Sequence, residues 1–182
     1  MRLCFPWSSI ELQRWASRGE MEGHLGAFDC KLVIGESAEQ EREFFSATIQ
    51  PEFREAKARR LAVGVCSEGH GIVPQVLPLP NRGLLLFGLN SEVVAIRADT
   101  GGIAYRIPLE FLFRSMVQLA DKGLVLVFHE IGVTALRENG ETPWTFGRDV
   151  LEDAWLEDGT LHMTFMDSEP VAVELASGRE LK

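Results

Sequence analysis

The sequence predicts a mainly β fold: tandem four-stranded antiparallel units over residues 72–182, preceded by a short N-terminal α/β segment over residues 1–71, the two packed as one compact domain. Two observations carry this. A polar turn closed by glycine recurs three times with a second glycine turn in register behind it, and the apolar runs between the turns have strand length rather than helix length.

In the N-terminal segment, Trp7-Ser8-Ser9-Ile10-Glu11-Leu12 has the spacing of a helix start. Ser8 and Glu11 stand as a capping box, and Trp7 can staple onto Leu12. Gly19 would close this helix, with Leu12, Trp15 and Ala16 on one face docking into the core. Phe28 to Ile34 and Leu61 to Val65 read as strands. Between them Ser37 to Glu43 and Glu55 to Arg60 are helix-prone, and Phe44 to Gln50 has strand character. This stretch is either a degenerate fourth unit or a separate αβ cap.

The repeats begin with Val76-Leu77-Pro78-Leu79-Pro80-Asn81-Arg82-Gly83, which returns 40 residues on as Met116 to Gly123 and 36 further as Glu152 to Gly159. An apolar strand follows each glycine, Leu84 to Phe87, Leu124 to Phe128 and Thr160 to Phe165, so each glycine should precede the first strand of a sheet. A second strand comes next, Val93 to Ile96, Val133 to Leu136 and Val171 to Leu175. The turns ending at Gly101, Gly140 and Gly178 then fall 18, 17 and 19 residues after the first glycine, where a tight hairpin needs the positive φ that glycine adopts without a Cβ clash. Tyr105 and Trp144 sit four residues beyond two of these turns, while the third copy reaches Lys182 before a full fourth strand. The outer edge of that last unit therefore needs a cover, expected from the N-terminal half, with a second copy of the chain as the other source.

These units, an Asp-Gly-type turn, apolar strand, second strand, Thr-Gly-type turn and aromatic strand, resemble the blades of β-propellers of the pyrroloquinoline-quinone and WD-repeat types over about residues 72–182. The resemblance implies a small or incomplete propeller. No repeat carries the Trp-Asp pair of WD repeats, and the chain is too short for the ring of the quinone enzymes, so no cofactor or metal site is carried over.

The charge is uneven. Residues 1–80 hold 9 basic and 11 acidic side chains, residues 81–182 hold 9 and 16, so the repeats carry −7 of the net −9. An acidic surface repels phosphate, which argues against nucleic acid and for a protein partner of basic character. Cys4, Cys30 and Cys66 are odd in number and widely spaced, which fits reduced thiols in the cytoplasm. Met1 to Ser9 lack the apolar stretch of a signal peptide and no later run has membrane-spanning length, so neither secretion nor membrane insertion is expected.

Two constellations bear on function. In Gly64-Val65-Cys66-Ser67-Glu68-Gly69-His70-Gly71 a thiol, a carboxylate and an imidazole lie close in sequence, the ingredients of a small hydrolase or thiol enzyme using Cys66, Glu68 and His70. The pattern lacks the second glycine of a nucleophile elbow, and a hairpin turn with a half-buried cysteine and a solvated histidine is the preferred explanation. Asp149, Glu152, Asp153, Glu157 and Asp158 place five carboxylates in ten residues, an acidic loop suited to a basic partner but without the spacing of a calcium loop. Trp144, after Pro143, would be an interface anchor if exposed, although core is the default for all four tryptophans. The four histidines, His24, His70, His129 and His162, are scattered, and His162 takes a slot filled by Leu86 and Leu126 elsewhere, which predicts an inward-pointing ring. The leading expectation is a non-catalytic binding module that engages another protein.

Overall fold

The structure, a computed structural model, describes residues 2–5, 8–35, 42–51 and 60–181. Two compact units are formed, Met1–Arg106 and Ile107–Lys182.

The first unit opens with β1 (Arg2–Phe5), β2 (Ser8–Trp15), α1 (Arg18–Leu25), β3 (Cys30–Ile34), β4 (Glu43–Pro51) and β5 (Leu61–Ser67). These strands form one sheet in the order β1-β2-β4-β5-β3, in which β3 alone runs parallel to its neighbour β5. The N-terminal segment is thus an antiparallel four-stranded set with a helix and a fifth, parallel strand added at one edge.

The helix expected from Ser8 is a strand. Ile10 and Leu12 are buried while Glu11 and Gln13 are exposed, a period of two, and β2 is paired on both sides. The capping-box spacing is overridden because pairing with β1 and β4 satisfies the backbone of β2 while its alternate residues Ile10 and Leu12 are buried. The helix starts later, capped by the Ser17 hydroxyl, which accepts from the Glu20 amide at 3.3 Å, and it runs through Gly19 instead of ending there. Trp7 lies outside the described residues, as do most of Ser37 to Glu43 and Glu55 to Arg60; Glu43 opens β4.

The same unit continues with β6 (Gln75–Leu79), β7 (Leu84–Leu89), β8 (Glu92–Arg97) and β9 (Ile103–Pro108), the first four-stranded sheet, whose last strand straddles the boundary between units. Val76, Leu85, Phe87, Val94 and Ile96 of this sheet form a common core with Ile10, Phe45, Ala47, Leu61, Val63 and Val65 of the five-stranded one. Asn90 ties the two sheets, accepting from the Glu68 amide at 3.0 Å and donating to the Cys66 carbonyl at 3.2 Å.

The second unit holds β10 (Phe113–Leu119), β11 (Leu124–His129), β12 (Gly132–Arg137) and β13 (Trp144–Gly147), then β14 (Leu151–Glu157), β15 (Thr160–Phe165), β16 (Val171–Glu174) and β17 (Glu180–Leu181). Each set is a four-stranded sheet in sequence order. The fourth strand of the last sheet is present as two residues, paired with Ala172 and Val173.

The repeat glycines differ from expectation in one respect. Gly83, Gly123 and Gly159 each follow the first strand of a sheet and precede its second, because β6, β10 and β14 pair ahead of them in the same sheets. Gly83 and Gly123 end a one-turn 3-10 helix with φ of 60° and 61°, a left-handed conformation. In the last sheet the turn is only Asp158-Gly159, both at positive φ. That hairpin is shorter by two residues, which shifts every residue of β14 against its counterparts in β6 and β10.

Among the described residues no helix is long and apolar enough to cross a membrane.

Candidate protein-binding surface

The carboxylate-rich segment is a strand rather than a loop. Leu151 to Glu157 form β14, the edge of the last sheet, with a register irregularity between Leu151 and Asp153. Glu152, Asp153, Glu157 and Asp158 are exposed. The Asp149 and Asp153 carboxylates accept from the next residue's amide, Val150 at 2.7 Å and Ala154 at 2.8 Å, which rigidifies the chain on either side of the irregularity. Among the described residues none of Asp149, Glu152, Asp153 or Asp158 forms an ion pair, and Glu157 faces only His162, 3.9 Å away.

Glu152 and Asp153 border a cleft of about 320 Å³ together with Val117, Leu126, Ala154 and Leu156, and the Arg114 guanidinium, which lines it as well, donates to the Leu151 carbonyl. Val117 and Leu156 are 46% and 42% exposed, so apolar side chains stand between the carboxylates. The surface sets carboxylates that form no ion pair with lysine or arginine among the described residues beside accessible apolar side chains, with Arg114 lining the same cleft.

Trp144 is not part of it. Its ring is buried, its Nε1 donates to the Leu175 carbonyl at 2.9 Å, and it packs with Leu161, Met163 and Val173 in the core of the second unit. The exposed tryptophan is Trp155, 43% accessible and stacked on His162 with ring centroids 5.2 Å apart and planes at 11°. His162 therefore does not point inward: it lies on the face opposite Leu161 and Met163, half-buried beneath Trp155. Trp155 escaped sequence reading because an ungapped match of the third repeat sets it against Leu79 and Leu119, whereas the shorter turn sets it against Leu77 and Val117.

The Cys66 constellation is dispersed. The thiol residue lies in β5, fully buried with Met21, Leu25 and Ala62 beneath α1, while the His70 ring is exposed and meets Glu68 at 3.3 Å. A thiol sealed under a helix lacks the access and electropositive setting that reactive cysteines share. Among the described residues no group of three or more His, Cys, Asp or Glu is placed to hold a metal.

His129 was not singled out by its sequence position. It ends β11 in the slot that Leu89 and Phe165 fill in the other repeats, 3% exposed, with its Nδ1 unpartnered and Phe111 stacked 6.1 Å away. Burial holds its pKa below the ordinary value of 6.5, against a smaller opposing pull from the Glu110 carboxylate. Thr134, hydrogen-bonded to Thr145 at 3.2 Å, lines the same cavity of about 580 Å³.

No family model and no curated protein sequence matches the chain. Solved structures do. The dihydro-heme d1 dehydrogenase NirN in complex with DHE, a β-propeller-like fold, superposes with a TM-score of 0.55 at 13% identity, over 77% of this chain and 34% of that one. HIRA(644-1017) gives 0.52 at 7% identity over 100% and 52%, and Sqt1 of Saccharomyces cerevisiae 0.50 at 11% over 80% and 46%. This chain spans a third to a half of the length of these structures. At such identities the likeness establishes the fold alone: tandem propeller-like blades.

Proposed function

We propose that this protein is a non-catalytic binding module of the cytoplasm that engages a basic protein partner through the acidic first strand of its last blade. The observation that carries the reading is β14, an exposed edge strand bearing Glu152, Asp153 and Glu157 with Asp158 behind it, no lysine or arginine paired to them among the described residues, and Leu156 and Trp155 exposed along it. Long-range attraction from such a strand steers a basic partner, and the exposed apolar residues supply contact area once it arrives. Propeller-like neighbours are typically interaction scaffolds, which is compatible with this role. The uneven charge and the odd, widely spaced cysteines of the sequence support the partner type and the compartment.

The test uses the immobilised full chain to recover a partner, then compares association rates for the native chain and a Glu152→Gln, Asp153→Asn, Glu157→Gln, Asp158→Asn variant. Asparagine suits position 158, whose φ is 47°. Slower association with a flatter salt dependence is expected. An unchanged on-rate removes β14 from the interface.

A further inference from the structure

Each sheet of the repeat region carries one row of residues paired across its strands, and following that row from blade to blade shows what covers it. In the second four-stranded sheet the row is Val117, Leu126, Ala135 and Trp144. Leu126 and Ala135 are fully buried and Trp144 nearly so, because Leu161, Met163 and Val173 of the following sheet pack upon them. In the last sheet the matching row is Trp155, His162, Ala172 and Leu181. It lies on the face turned away from Leu161, Met163 and Val173, and there Trp155 and Leu181 are 43% and 40% exposed. Val117, on the edge strand, is as exposed as Trp155, but the three positions after it, covered by a sheet in this blade, are partly or fully open in the next.

The frame of this row differs from that of its predecessor. Two positions along β14, and across β15 and β16, the adjoining row is Glu157, Thr160 and Glu174, and the four strands of this sheet contain no lysine or arginine. A purely apolar sheet face laid here would desolvate carboxylates without compensation, which is strongly unfavourable. A face carrying cations beside its apolar residues would pair them.

We propose that the outer face of the last blade docks a β-strand or sheet face of a different protein, one that sets aliphatic side chains on Trp155, Ala172 and Leu181 and lysine or arginine against Glu157 and Glu174. The proposal rests on the reading of the protein as a binder of basic partners and gives that partner its structure. A second copy is disfavoured by charge, since a two-fold contact through this face would bury Glu157 and Glu174 against strands that supply no lysine or arginine to pair them. The N-terminal sheet of another copy is disfavoured as well, because on its side away from the first four-stranded sheet Met21 and Leu25 of α1 already cover Ala62 and Cys66.

Three short disulfide-closed hairpin peptides test this by fluorescence anisotropy against the full chain: one that carries valine and, two positions along each strand, lysine on the same face, one with glutamate in place of lysine, and one with serine in place of valine. The valine-lysine hairpin is expected to bind about tenfold tighter than either control, a difference of the size an interfacial anchor supplies. Trp155→Ala with Leu181→Ser should lose that advantage, and Glu157→Gln with Glu174→Gln should weaken binding severalfold and flatten its salt dependence. Circular dichroism of each variant confirms the fold, and all four positions are at least partly exposed. Equal binding of the three hairpins, no binding of the first, or indifference to both double variants overturns the proposal. So does sedimentation showing a dimer of the full chain that Trp155→Ala dissociates. If a recovered partner associates more slowly with the β14 variant yet binds the Trp155→Ala, Leu181→Ser chain normally, the acidic strand stands as the binding surface and the outer face does not.

Discussion

Replacing Gly178 with alanine should destabilise the second unit far more than the same change at Gly123, although both glycines have positive φ, 70° and 61°. A Cβ at Gly123 meets nothing within 4 Å, so only the left-handed backbone term applies, about 1–2 kcal/mol. A Cβ at Gly178 falls 2.5 Å from the Trp144 ring. That ring is held by its Leu175 hydrogen bond and by Leu161, Met163 and Val173, so it cannot retreat without breaking packing. Adding an overpacking cost of about 1–3 kcal/mol to the backbone term gives about 2–5 kcal/mol in total. Urea unfolding followed by circular dichroism and tryptophan fluorescence measures both variants. A Gly178→Ala cost no larger than that of Gly123→Ala would refute the burial of Trp144 and return it to the surface as a candidate anchor.

Further outcomes follow from the buried polar groups. The imidazole of His129 has a folded pKa below its ordinary 6.5, so the unfolded chain takes up the proton more readily, and the stability present above about pH 6.5 is lost as pH falls. His129→Leu, the residue type of the matching position 89, should therefore gain on the native chain between pH 7 and pH 5 in paired urea titrations; a constant difference would mean the ring is not buried neutral. Cys66→Ala should leave partner binding intact and cost about 1–2 kcal/mol of stability from lost packing under α1. Native Cys66 should react slowly with iodoacetamide at neutral pH, and rapid alkylation would contradict its burial.

How much of this was legible in the sequence depended on whether a signal was local or needed its neighbours. The three sheets were readable because a positive-φ glycine is a property of a few adjacent residues, and Gly83, Gly123 and Gly159 each mark a hairpin. The order of strands around them was less so: β14 is rich in carboxylates and reads as loop, yet pairing with β15 makes it a strand. At the N-terminus, Ser8 and Glu11 satisfy a helix rule, but pairing of β2 on both sides decided otherwise, a contest no local rule settles. Within the candidate surface, the acidic residues are visible in the sequence, and Trp144 is buried as its default reading had it, leaving Trp155 as the exposed ring. A turn shortened by two residues moved Trp155 into the open row, a shift that appears only when the strands are put in register. His129 gives no local signal of its burial, since it sits at a strand end where burial depends on what packs opposite.

Hydrogen exchange on the full chain, alone and with the partner recovered by it, tests the binding surface most directly. Added protection should fall on β14, the centre of β15 and residues 172–181, with little change in β5 and the turn from Gly64 to Gly71. Protection concentrated at Gly64 to Gly71, or absent from β14, would contradict the assignment of the last blade as the surface by which this protein engages another.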